Sequence, residues 1–240
     1  SVSRPVPNSW TSPIVIDQQG KPQIVTNADP WVIAYAPSDG AEIWRARCLK
    51  QDVGPSPAYA NGVVFVANEF PCLSAIRADG QGDVTDTHVL WTSDIGLPDT
   101  CSPLVTGAVA EFAEIPEETV AEVGKLTADT VAESIESPAD QLLLLMASYG
   151  TLTCFDAAAG GEPLWEEDFD GSFSSSPSLA GSRVYLFAEE GKAWIVEPSR
   201  QQCRRIAEAD LGEPCVTSPA FQAGRIYIRG EDHLFCIGNE

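Results

Sequence analysis

Three observations on this 240-residue sequence predict an all-β fold, a propeller of four-stranded antiparallel blades. A Ser-Pro phrase recurs five times, a Trp precedes it at fixed phase, and short apolar runs follow it at regular intervals. The phrases are Thr11-Ser12-Pro13, Pro55-Ser56-Pro57, Cys101-Ser102-Pro103, Ser175-Ser176-Pro177 and Thr217-Ser218-Pro219, with prolines 44, 46, 74 and 42 residues apart. The long interval shrinks to about 42 once the stretch from 109 to 140 is set aside, and a period of about 40 to 45 residues is the size of one blade. Units therefore start near residues 11, 55, 101, 175 and 217, and residues 1–240 form a single repeat array.

Each unit divides into four strands. Strand A starts at Ser-Pro, where a proline can stand at a strand's first position without removing a ladder donor. Strand B is the apolar run Gln23–Val25, Val63–Val66, Leu142–Met146, Val184–Phe187 or Ile226–Ile228, reached through turns such as Asn61-Gly62 and Gly181-Ser182. Its unbroken apolarity suits a middle strand covered on both faces. Strand C is Trp31–Tyr35, Leu73–Ile76, Leu152–Phe155, Trp194–Val196 or Leu234–Ile237. Strand D carries Trp44, Trp91 or Trp165, which lie 12 or 13 residues before the next motif proline; in the fourth interval the Ile206-Ala207 region replaces the indole. A large side chain repeated at one place in every unit is expected to pack on the neighbouring unit.

Composition narrows the function. Fourteen basic against 35 acidic residues give a formal charge of −21, which repels phosphate backbones and excludes nucleic-acid binding. The longest apolar run, Leu142–Ala147, is far short of the roughly 20 residues a membrane-spanning helix needs, so no transmembrane segment is expected. The chain opens Ser-Val-Ser-Arg with no initiator Met or apolar leader, so an export signal is expected to be absent from this sequence.

Seven cysteines, none in a C-x-x-C or vicinal pair, disfavour zinc and thioredoxin-like chemistry, and no disulfide pairing follows from spacing. Cys154 and Cys236 align with Ala34, Ala75 and Ile195 in strand C and read as small core residues; Cys101 and Cys215 fall nearer the axis. His88 and His233 stand alone in their segments, the first as a strand D surface residue and the second solvated at a turn. The oxygen-rich run Asp79–Asp86 lengthens one C-to-D connection; turns favour the same residues that Ca²⁺ does, and the EF-hand pattern is absent. Residues 108–140 form an acidic insertion between strands A and B of the third unit, with nine acids, one base and two stretches of helical periodicity, expected as a solvated decoration or a docking arm for a basic partner.

The Ser-Pro starts, with GSRVYLFAEEGKAWIVEP (181–198), YGTLTCFDAAAGGEPLW (149–165) and AGRIYIRGEDHLFCIG (223–238), resemble the PQQ-like β-propeller repeat of quinoprotein alcohol dehydrogenases and of BamB-like exported proteins. The resemblance covers nearly the whole chain outside the insertion. It implies a ring of seven or eight blades, of which about five are present; a closed five-bladed ring is the alternative. It also implies export to the periplasm or cell surface and a noncatalytic protein-binding or scaffolding role. In the family's enzymes PQQ sits beside Ca²⁺ with a vicinal disulfide, a stacking Trp and Glu, Asn and Asp ligands. No Cys-Cys and no matching ligand set stand in this sequence, so neither cofactor, metal site nor catalytic residue is assigned. A PQQ- and Ca²⁺-dependent dehydrogenase and a carbohydrate- or peptide-binding propeller remain the alternatives. The expected partners are another protein or further blades of the same chain. Loops joining D to A and B to C share one rim, which nominates Trp10, Asp29, Glu69, Asp99, Tyr149, Phe173, Glu190 and Glu231 for binding.

Overall fold

Each Ser-Pro motif is followed, one residue after its proline, by the first strand of a separate antiparallel sheet. The computed structural model describes residues 4–107, 141–222 and 224–238. Blade 1 contains β1 (Ile14–Gln18), β2 (Lys21–Ala28), β3 (Trp31–Tyr35) and β4 (Glu42–Arg47). Blade 2 contains β5 (Ala58–Ala60), β6 (Val63–Val66), β7 (Leu73–Arg77) and β9 (Val89–Ser93); β8 (Gly82–Asp83) and α1 (Thr85–His88) lie in its C-to-D connection. Blade 3 is β10 (Leu104–Val105), β11 (Leu142–Met146), β12 (Thr151–Asp156) and β13 (Trp165–Asp168). Blade 4 is β14 (Ser178–Ala180), β15 (Arg183–Phe187), β16 (Lys192–Pro198) and β17 (Cys203–Asp210). Blade 5 has three described strands, β18 (Ala220–Gln222), β19 (Arg225–Arg229) and β20 (Leu234–Gly238). The protein is thus all-β and a partial propeller, as the repeat predicts.

The motif serine has a role that the sequence reading did not assign. The backbone N–H of Ser12 donates to Ser56 Oγ (2.9 Å), Ser56 N–H to Ser102 Oγ (3.0 Å), Ser102 N–H to Ser176 Oγ (2.9 Å) and Ser176 N–H to Ser218 Oγ (2.9 Å). One hydroxyl per blade therefore satisfies the amide that precedes the neighbouring strand A, and proline next to it fixes the backbone. Serine is short enough to do this where strands A converge. Among the described residues Ser218 N–H does not return to Ser12 Oγ, so the described relay runs from blade 1 to blade 5. Its end members differ in burial accordingly, Pro57, Pro103 and Pro177 being buried and Pro13 exposed.

Between blades the core is apolar. Val25, Val32 and Trp44 of blade 1 meet Val64, Val66 and Ile76 of blade 2; Phe65, Ala75 and Trp91 meet Leu143, Leu145 and Phe155; Leu144 and Cys154 meet Val184, Leu186 and Trp194. All five residues of β11 are buried, as expected for a strand covered on both faces. The three indoles act between blades in three ways. Trp44 Nε1 donates to Gln23 Oε1 (2.9 Å), whose amide in turn donates to Ala78 O of blade 2 (3.2 Å). Trp91 stacks on Phe155 of blade 3, centroids 6.2 Å apart, and lies against Gly160, where a Cβ would collide with the ring. Trp165 Nε1 donates to Ser199 O of blade 4 (2.7 Å).

Register supports the alignment of the units. Ala34 faces Trp44, Ala75 faces Trp91 and Cys154 faces Trp165, a small residue beside each indole, whereas in blade 4 the large Ile195 faces Ala207. Cys154 is buried as expected, but Cys236 is exposed: it occupies the same strand position in blade 5, where no further described blade covers that face. β10 pairs with β11 across the acidic insertion, so the insertion joins strands A and B of blade 3; the insertion itself, 108–140, lies outside the described residues.

The Asp79–Asp86 connection forms an inter-blade clip. β8 pairs in parallel with β4, adding a fifth strand to blade 1, and Arg47 N–H donates to Thr85 Oγ (3.0 Å). Asp83 accepts from the Thr85 N–H and hydroxyl, while Asp79 pairs with Arg77 and His88. His88 lies in α1, not in strand D, and is half-buried beside Gly80.

Candidate functional site

The loops entering strand A stack on one another at one rim, and this brings residues far apart in sequence to one place. Trp10 N–H donates to Val53 O (3.0 Å), tying the loop before blade 1 to the loop before blade 2. Gly54 in turn lies so close to Asp99 O that any Cβ would clash, tying the second loop to the third. The B-to-C loop of blade 2 is held from below by Asn68, whose Nδ2 donates to Lys50 O (3.0 Å), Asp52 O (2.9 Å) and Phe70 O (3.1 Å). The result is a cavity of about 460 Å³ lined by Trp10, Gln51, Asp52, Gly54, Asn68, Glu69, Phe70, Asp99 and Thr100.

Of the eight residues nominated from topology, Trp10, Glu69 and Asp99 meet in this cavity. Trp10 is 80% exposed, so its indole is free for contact, unlike the three indoles between blades. Asp29 lies next to the cavity, its Oδ2 accepting from Gln51 N–H (3.2 Å). Tyr149, 71% exposed, and Glu190 sit on the rim of blades 3 and 4, where the Glu190 carboxylate accepts from Ser172 N–H; Glu231 is exposed in blade 5, its N–H bonded to Pro214 O (3.0 Å). Phe173 is a correction. It is 1% exposed and packs on Trp194 with ring centroids 6.0 Å apart, because the D-to-A loop turns it inward to fill the core between blades 3 and 4.

Sequence reasoning missed Asp52, Asn68 and Phe70. Asn68 carried a signal: an amide directly after the apolar run Val63–Ala67 has to find backbone partners if it is buried. Farther along the rim, His233 keeps its ring in solvent but bonds Glu213 through Nδ1 (2.7 Å) and N–H (2.9 Å), and the His233 side chain first, then the backbone bonds, hold the Glu213 carboxyl below its ordinary pKa.

All seven thiols are free, and burial pushes Cys48, Cys101 and Cys154 up to about 12 and Cys203 up to about 11, far from the thiolate form that reacts. Among the described residues no three His, Cys, Asp or Glu side chains converge with metal-binding geometry, and no two cysteines are adjacent in sequence.

Successive four-stranded antiparallel sheets linked through their motif serines define a partial β-propeller. The family model described as "Outer membrane protein assembly factor BamB" matches in two overlapping stretches, residues 28–109 and 83–202, and the chain belongs to that family. Among solved structures, BamB from Moraxella catarrhalis superposes with a TM-score of 0.59 at 17% identity, over 95% of this chain and 56% of that one. The computationally designed Ika8 protein gives 0.61 at 10% identity over 94% and 57%, and the designed Ika4 protein 0.55 at 10% over 83% and 98%. The chain therefore spans just over half the length of the BamB it matches, and these likenesses concern the fold. No curated protein sequence matches. Among the described residues no helix is long and apolar enough to cross a membrane.

Proposed function

We propose that this chain is the partner-binding arc of an exported, BamB-like propeller that captures a segment of another protein on the rim of the D-to-A and B-to-C loops and catalyses no reaction. The observation that carries this reading is the cavity of blade 2. It collects three loops from successive blades, presents an indole 80% exposed, and has its floor fixed by three hydrogen bonds from one buried amide. Rigid blades with adaptable loops are how repeat scaffolds bind, and an aromatic side chain exposed over a fixed concavity is the usual anchor. Family membership supports a periplasmic or outer-membrane-associated setting and a protein as the partner.

The test is calorimetric binding of the purified chain to the outer-membrane barrel-assembly subunit of its own organism. Trp10→Ala combined with Tyr149→Ala is expected to weaken binding at least tenfold, consistent with the loss of two exposed aromatic anchors, while the melting temperature stays within about 2 °C. Unchanged affinity in that double variant contradicts the rim assignment.

A further inference from the structure

Resting on the rim reading, the geometry points to a cationic side chain, best an arginine of an extended partner segment, as what enters the blade 2 cavity; we propose it as the specificity element of this site. Three observations converge. The cavity volume, about 460 Å³, falls at the lower end of the range for sites that enclose a small group. Two aromatic rings face solvent at its edge, Trp10 at 80% and Phe70 at 48% exposure, and exposed ring faces attract a guanidinium through their quadrupole. Three carboxylates, Asp52, Glu69 and Asp99, line the same space.

Among the described residues no Lys, Arg or His forms an ion pair with any of these three, although eight ion pairs occur elsewhere. Other rim carboxylates are occupied internally: Asp29 accepts from Gln51, Glu190 from Ser172, and Glu213 holds His233.

A guanidinium has five donors in a planar fork, enough to meet a carboxylate in bidentate fashion, and its flat face stacks on an indole. An ammonium group lacks that plane. Anions and neutral sugars have no complementary charge in this cavity, and the −21 net charge of the chain adds to the attraction for a basic segment at low salt.

The probe is the capped peptide acetyl-Gly-Gly-Arg-Gly-Gly-amide, titrated against the ¹⁵N-labelled chain while the indole N–H resonance of Trp10 is followed, that resonance being assigned with Trp10→Phe. A saturable shift is expected, weakening at least fivefold when 50 mM salt is raised to 300 mM. The same peptide with citrulline, which keeps the shape and removes the charge, is expected to bind at least tenfold more weakly. Asp52→Asn, Glu69→Gln and Asp99→Asn together are expected to abolish the shift, with the remaining amide spectrum retained as evidence of folding. Equal response to arginine and citrulline, or a response that survives the triple substitution, overturns the proposal. Loss of partner binding in Trp10→Ala together with full partner binding in the triple variant leaves the rim standing and removes the cation; failure of Trp10→Ala to affect the partner removes the rim itself.

Discussion

Each inner motif serine, Ser56, Ser102 and Ser176, accepts a hydrogen bond from one neighbouring blade and, through its amide, gives one to the other. Ser102 is the central case, accepting from Ser56 N–H and donating to Ser176 Oγ. Ser102→Ala removes the acceptor and leaves a partly buried N–H of Ser56 unpaired, which should cost about 1 to 2 kcal/mol of unfolding free energy in urea denaturation. A loss below about 0.3 kcal/mol would mean that water replaces the hydroxyl at no cost. The phrase that carries this relay was plain in the sequence, yet its purpose was not. Periodicity shows that a serine recurs without showing that consecutive copies touch, since they stand 42 to 74 residues apart. Phe173 was misplaced for a related reason: loop position suggests exposure, and only the turn of the chain shows which way an aromatic points.

Strand D and the turn it meets form the joint between blades, and there the indole does more than fill space. Trp91 spans from Phe65 in its own blade to Phe155 in the next, with centroid distances of 6.1 and 6.2 Å. Truncating it to Ala should cost about 3 kcal/mol, whereas Trp10→Ala, equally drastic in volume but at an exposed site, should stay within about 0.5 kcal/mol. Chemical denaturation of the two variants side by side checks the contrast, and comparable losses would refute the wedge.

The next joint carries charge. Asp156, at the end of β12 in blade 3, pairs with Arg200 in the C-to-D turn of blade 4 (2.6 Å). Burial acts to raise its pKa, but the Ala159 N–H, the Arg200 guanidinium and the Ala158 N–H together outweigh burial and set the net shift downward. A carboxyl depressed in the folded state stabilises at pH values above the ordinary value near 4, and that contribution disappears as pH falls through the lower folded value. Asp156→Asn keeps an oxygen for the two amides and loses the charge. The variant should be less stable than the parent at pH 7, and the gap should close between about pH 4 and pH 2; a gap that persists at pH 2 would contradict the assignment.

Strand B and strand C runs were readable from apolarity alone, and they pair with each other as β2 with β3, β6 with β7 and β11 with β12. The clip made by β8 was not readable, because the two residues of Gly82-Asp83 carry no strand pattern and pair by backbone only.

At the scale of the molecule, repetition made the fold legible before any coordinate, whereas the site was legible only in part. Topology placed Trp10, Glu69 and Asp99 on one rim, but their convergence depends on loop stacking at Val53 and Gly54 that no periodic signal encodes. Both ends of the arc differ from its middle. Val15 on blade 1 is 73% exposed where Val105 of blade 3 is buried, and Leu234 on blade 5 is 71% exposed where Leu73 and Leu152 of blades 2 and 3 are buried.

One sheet is copied around an axis, and its copies are linked by a directional chain of serine hydrogen bonds. Residue-resolved amide hydrogen exchange on the 240-residue chain tests it most directly. The amides of Ser12, Ser56, Ser102 and Ser176, each donating to the hydroxyl of the following blade, should be protected at least a hundredfold over that of Ser218, which has no described acceptor. Exchange of Ser102 and Ser176 as fast as that of Ser218 would contradict it.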